Sequence, residues 1–111
     1  MPQGVPFFVF EMYYIYILYS DRSDKYYVGY TKDVQQRLKQ HNESERTTFT
    51  SKHRPWVLAA AFKVGESESE AIRIERFIKK QKSRGLLQRM VSGEELHGVL
   101  AQLVRVPHVR D

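Results

Sequence analysis

The stretch YYIYILYS at positions 13–20 constrains the fold more than any other part of the chain. Read with a period of two, it places Tyr13, Ile15, Ile17 and Tyr19 on one face and Tyr14, Tyr16 and Leu18 on the other. Aromatic and β-branched residues favour a pleated strand, and a strand apolar on both faces needs cover on both. This segment is therefore a central, well-covered strand. A polar turn, DRSDK (21–25), leads into a second strand, YYVGYT (26–31). So short a connection makes the two an antiparallel hairpin. Gly29 inside the second strand marks a bulge or a close approach to the backbone.

Beyond the hairpin the pattern changes. The segment DVQQRLKQHN (33–42) reads as a helix capped by Asp33, with Val34 and Leu38 as a short apolar stripe. From Glu43 to Pro55 the chain is polar, rich in Ser, Thr and Lys, and reads as a loop. WVLAAAFKV (56–64), ended by Gly65, is read as a third strand, although its three alanines suit a helix equally. Ser67 and Glu70 have the spacing of a capping box. They open a helix to about Lys82, with Ala71, Ile74, Phe77 and Ile78 on its apolar face. Gly85 marks a break, and Ser92 with Glu95 repeats the capping spacing, which predicts a last helix over 93–104. The expected fold is α+β: a small three-stranded antiparallel sheet flanked by helices, in the order β-β-α-β-α-α.

A length of 111 residues suits one domain. Its expected bounds are 12–91, with 1–11 a poorly ordered extension and 92–111 a C-terminal helix and tail. Pro2, Gly4 and Pro6 interrupt regular structure in the extension, and Met12 is a second candidate start. The last dozen residues, with Pro107 among them, are read as a frayed tail or as read-through from a neighbouring gene. The N-terminus has neither the basic start nor the small-residue cleavage site of a signal peptide, and there is no apolar run of about 20 residues to span a membrane. The chain is read as cytoplasmic and not membrane-bound. It has no cysteine, so disulfides, a thiol nucleophile and cysteine zinc sites are excluded. Lys plus Arg is 18 against 13 for Asp plus Glu, and that excess points first to nucleic acid as a partner.

Several polar residues fall where apolar ones are expected. Glu75 lies about 40° from Ala71 on the helical wheel, inside the apolar arc. A carboxylate there is costly unless it pairs with a cation or holds a metal. The competing reading is a structural ion pair with a nearby Arg. Arg37 and His41 are four residues apart and flank the Val34–Leu38 stripe, either as a semi-buried polar site or as surface residues at its edge. Tyr16 and Tyr27 sit on neighbouring strands, where tyrosines are usually packing. Between Ala71 and Met90 there are seven basic residues and one acid. Lys79, Lys80, Lys82 and Arg84 from that stretch, with Lys32, Lys39, Lys52 and Arg54, form either a phosphate-binding track or a solvated basic face.

Taken together, YIY (14–16), YVGYT (27–31), Arg37, HN (41–42) and Glu75 resemble the GIY-YIG nuclease superfamily. HRPWVL (53–58) and EAIRIERFIKKQKSR (70–84) resemble its small stand-alone bacterial members, and the resemblance spans roughly 12–84. It implies a sheet flanked by helices and one metal-dependent phosphodiesterase site. By that resemblance Tyr16 and Tyr27 are the motif tyrosines, Gly29 the structural motif glycine, Arg37 the family arginine and Glu75 the metal-binding glutamate. His41 stands where some members carry a catalytic His or Tyr. Tyr14 replaces the first motif's glycine, and the Asn that some members carry after the glutamate helix has no counterpart. The implied activity is endonucleolytic hydrolysis of nucleic acid, DNA before RNA. A non-catalytic or partner-dependent nucleic-acid-binding module is the alternative. The implied cofactor is one divalent ion, Mg²⁺ or else Mn²⁺, since Mg²⁺ accepts a single protein carboxylate plus waters and phosphate oxygens. Arg37 would clamp the phosphate. Either Tyr16 or His41 would serve as general base.

Overall fold

A computed structural model describes residues 11–107. The hairpin forms as expected from β1 (Tyr13–Ser20) and β2 (Lys25–Thr31), paired antiparallel without interruption from Tyr14–Thr31 to Ser20–Lys25. Helix α1 (Val34–Glu43) follows, capped by the Asp33 side chain, which accepts a hydrogen bond from the Gln36 amide. A short 3₁₀ turn, Thr50–His53, leads into β3 (Val57–Gly65). Trp56, expected as the first residue of this strand, lies just ahead of it and is buried. The three alanines do not make a helix, because β3 lies against β1, with Ala60 and Ala61 buried. Helix α2 (Glu68–Gln81) is capped by Ser67, whose side chain accepts from the Glu70 amide.

The C-terminal third departs from the expectation. Gly85 does not interrupt a helix but lies in the first turn of α3 (Arg84–Ser92), which Ser83 caps by accepting from the Leu86 amide. Ser92 ends this helix instead of opening the next. Its hydroxyl donates back to the Arg89 carbonyl, and Gly93 takes the left-handed conformation at φ 87°. No helix covers 93–104. Gly98, at φ 62°, opens a short 3₁₀ turn, Gly98–Gln102, and Val104–Val106 then forms β4. The sheet therefore has four strands, not three, in the order β2-β1-β3-β4 with every pair antiparallel. The extension at 1–11, save Glu11, and the end of the tail lie outside the described residues. Among the described residues no helix is long and apolar enough to cross a membrane.

β1 is central and covered on both faces. Ile15 and Ile17 enter the larger core with Val28, Ala60, Phe62, Ile74, Ile78 and Met90, so α2 and α3 cover that face. Tyr16 and Leu18 point the other way, into a smaller cluster with Trp56, Tyr27, Val34, Leu38 and Leu58, under α1. The polar candidates gather around this smaller cluster.

Candidate active site

Tyr16 is the pivot. Its ring crosses the sheet over Gly29, its partner in the β1–β2 ladder. A Cβ on Gly29 would stand 2.6 Å from the Tyr16 Cζ and closer still to the hydroxyl. The glycine thus marks a close approach, and the uninterrupted ladder shows that it is not a bulge. The ring is only 1% exposed, yet its hydroxyl reaches His41 Nε2 at 2.9 Å. His41 Nδ1 in turn lies 2.9 Å from the buried Thr50 hydroxyl.

Burial pushes the Tyr16 phenol well above its ordinary range, and Tyr27 adds to the rise. The nearby Arg37 guanidinium opposes it, and the Glu75 carboxylate adds to it. His41 moves the other way, down to about 4, first by burial and then by Arg37 and Arg54. Near neutrality the pair is a phenol and a neutral imidazole. Arg37 can only donate, so the phenol's proton is free to point at Nε2, which leaves the Nδ1 proton for Thr50.

Tyr27 stands beside both, 6.3 Å from the Tyr16 ring and 4.9 Å from the imidazole between ring centres. With Arg37 and His41 it lines a groove of about 320 Å³ that also includes Arg46, Thr48, Phe49 and Thr50. Glu75 comes from α2, the helix on the opposite face, and meets the cluster around the free edge of β2. Its carboxylate lies 3.6 Å from Lys79 Nζ, and Lys79 sits 5.3 Å from the centre of the Tyr27 ring. Glu75 is close enough to act on the Tyr16 phenol. Its partner is the i+4 lysine, not the arginine that the structural reading supposed. At 17% exposure the carboxylate is neither sealed in the core nor free in solvent. Among the described residues no three His, Asp or Glu side chains form a metal-binding group. The carboxylate present at this site is that of Glu75.

The expected basic track is only partly assembled. Lys79, Lys82 and Arg84 line a second groove of about 410 Å³ with Lys25, Tyr26, Tyr27 and Phe49. Arg84 is engaged by Asp24, and Lys32 pairs with Glu11 at 3.1 Å. Arg54 turns inward, donating through Nε to the His41 carbonyl and through a terminal nitrogen to the Ser44 carbonyl. It closes the C-terminus of α1 and acts on His41 as a fixed charge. Lys39, Lys52 and Lys80 are exposed and line neither groove.

Residue-by-residue reading did not single out Thr50, nor the clamp that holds it. The Asn42 amide donates to the Trp56 carbonyl at 2.9 Å and accepts from the Trp56 amide at 2.7 Å. The Trp56 indole donates to the Thr50 carbonyl at 2.7 Å. The end of α1, the 3₁₀ turn and the start of β3 are thereby tied together. Asn42 and Trp56 stood inside the segments that carried the family resemblance. Nothing distinguished Thr50 from the other hydroxyl residues of its loop.

A model of the GIY-YIG catalytic domain matches residues 12–89. A search among curated proteins gives no match. Domains of this kind are usually nucleases, hydrolases that act on nucleic acid. The matched span runs from the residue before β1 to the last turns of α3 and contains all five of Tyr16, Tyr27, Arg37, His41 and Glu75. With most of its length matched, the chain belongs to the GIY-YIG catalytic domain family.

Proposed function

We propose that this protein is a metal-dependent endonuclease that hydrolyses phosphodiester bonds, with DNA as the first candidate substrate. The observation that carries this reading is the partly buried Tyr16–His41 hydrogen bond, with Arg37 and Glu75 close enough to act on the Tyr16 phenol. A neutral imidazole hydrogen-bonded to a protonated phenol can act as a proton relay. The attacking water gives its proton to the Tyr16 oxygen as the Tyr16 proton passes to His41 Nε2, so neither phenolate nor hydroxide need form free. This joins the two candidate bases into one device: His41 is the proton acceptor, unprotonated near neutrality although burial weakens it as a base, and Tyr16 sets the position. The Thr50 hydroxyl, 2.9 Å from Nδ1, can accept the Nδ1 proton in the tautomer whose Nε2 takes the Tyr16 proton.

Arg37 is suited to clamp the phosphate, since its planar fork matches two phosphate oxygens. Glu75 would hold the divalent ion, Mg²⁺ with Mn²⁺ as the alternative, and Lys79 would release it to do so. A divalent ion bound there supplies charge neutralisation and a Lewis acid for the departing oxygen. Lys79 and Lys82, with Arg84 in the same groove, support binding of the flanking backbone.

The test is incubation of the purified chain with single-stranded, duplex and branched DNA and with RNA, in Mg²⁺ and in EDTA. Cleavage in Mg²⁺ that EDTA abolishes is the expected result. Binding without cleavage of any of these would replace this reading with that of a binding module of the same fold.

A further inference from the structure

One side chain at the site fits neither the core nor the proton relay. Phe49 is 52% exposed, and among the described residues it is the aromatic member of the exposed large hydrophobic set. Exposure of a single ring is ordinary for a protein surface; what sets Phe49 apart is its place between two basic grooves, where an aromatic face can stack a base. Phe49 precedes the 3₁₀ turn and lies with its ring centre 4.7 Å from that of His53. It lines both grooves, the one with Arg37, His41 and Arg46 and the one with Lys25, Lys79 and Lys82. Only Tyr27 shares that position. The next residue, Thr50, is the one hydrogen-bonded to His41.

The surroundings select the ligand. Cations stand on both sides of the ring, and the one acid in either groove, Asp24, is engaged by Arg84. A flat π-ligand carrying negative charge on both flanks fits such a place, and a nucleotide within a chain is that ligand. A base paired inside a duplex is already stacked on its neighbours and has no free face to offer. An unpaired base has one, and stacking on an aromatic side chain is how proteins hold it without reading its sequence.

We propose that Phe49 is a stacking platform for an unpaired nucleobase adjacent to the scissile phosphate, so that the substrate is nucleic acid with unpaired nucleotides at the cut. The word scissile rests on the nuclease reading; the stacking site does not. Because Phe49 and Thr50 are consecutive, a base seated on the ring also steadies the turn that orients His41.

The experiment uses the full chain in EDTA, where binding is measured without cleavage. One oligonucleotide sequence is presented single-stranded and as a blunt duplex, with 2-aminopurine at successive positions. Phe49→Ala and Phe49→Leu are both expected to weaken single-strand binding about 10-fold or more, the usual consequence of removing one stacking ring. Duplex binding should not change, and the quenching of one 2-aminopurine position seen with the wild type should disappear. Phe49→Trp should keep both affinity and quenching. Phe49→Leu preserves apolar bulk at an exposed position, so its failure reports the lost π-face and not a lost fold. Wild-type affinity in Phe49→Leu, or an equal loss on duplex and single strand, would overturn the proposal. Binding losses as expected, in a protein that cuts nothing in Mg²⁺, would leave the stacking site standing and remove the nuclease reading instead.

Discussion

Glu75 is the residue on which enzyme and binding module divide. Its contact with Lys79 is an i,i+4 pair at a partly exposed position, and such pairs contribute about 0.3–0.5 kcal/mol. Glu75→Gln should therefore leave the melting temperature almost unchanged while abolishing cleavage, with nucleic-acid binding kept or tightened as a negative charge is removed. Cleavage, filter binding and thermal melting on this one variant are the measurements. Retained cleavage would place the metal elsewhere. His41 makes a separate prediction through pH. Its folded value, about 4, lies below its ordinary value of 6.5, so between the two the unfolded chain binds more protons than the folded one. The stability contributed by neutral His41 is fully present above pH 6.5 and is lost as pH falls through that window towards about 4. His41→Gln should flatten the melting-temperature profile there. The acid limb of kcat/KM should lie well below 6.5, because the base stays neutral until then. An acid limb at the ordinary histidine value would remove His41 from the relay.

At the scale of elements, the site depends on how β1, β2 and α1 are held. Gly29→Ala puts a methyl group into the ring that bridges β2 and α1. Overpacking at so closed a position costs about 1–3 kcal/mol. The displaced hydroxyl would also leave His41, so cleavage should fall further than stability accounts for. The comparison is activity against the fraction folded, read by circular dichroism. Asp33→Ala removes the cap of the helix that carries Arg37 and His41, and lost caps cost about 1 kcal/mol. The melting temperature should drop by a few degrees, with cleavage lost only in proportion to unfolding. A cap is thus separable from a site residue on the same helix. α1 was legible because its start signal, Asp33, and its stripe, Val34 and Leu38, are local. The same is true of Ser67 and α2. Ser92 shows where such reading fails: a serine three residues before a glutamate has the spacing of a start, but with Gly93 in the left-handed conformation it lies at an end.

For the whole molecule, charge arrangement outweighs charge count. Of the eight cations expected to form one track, Arg54 caps a helix, Lys32 pairs with Glu11 and Arg84 is engaged by Asp24. Lys25 and Arg46, which the reading passed over, line the grooves. Affinity for a single-stranded oligonucleotide should fall with salt by a log–log slope of about −0.7 per phosphate contacted. The double variant Lys25→Ala, Lys82→Ala should flatten that slope by about one to two such contacts, whereas Lys32→Ala should leave it unchanged. A slope that responds to Lys32 and not to the groove lysines would move the backbone path to the other end of β2.

Tyr16, Tyr27, Arg37, His41 and Glu75 could be named from the chain because together they resemble the motifs of a known family; their places on two strands, a capped helix and an amphipathic helix alone left packing and ion-pair readings open. Their convergence was not visible in that way. α1 and α2 lie on opposite faces of the sheet, and only because β2 is an edge strand does Glu75 come round to the Tyr16 side. The position of that edge depends on the β2-β1-β3-β4 order. β4 is three residues, Val104–Val106, too short to carry a period, and it exists because β3 offers it a partner at Ala61–Lys63. Arg54 read as a free cation because nothing local shows that the α1 carbonyls lie within its reach, and Thr50 read as one hydroxyl among many because its partner is the imidazole of another element. Caps, hairpins and amphipathic faces are written in neighbouring residues and survive in the sequence. Protonation state, strand order and the partner of each charge depend on burial and on contacts between distant segments, and those come into being only when the chain closes on itself.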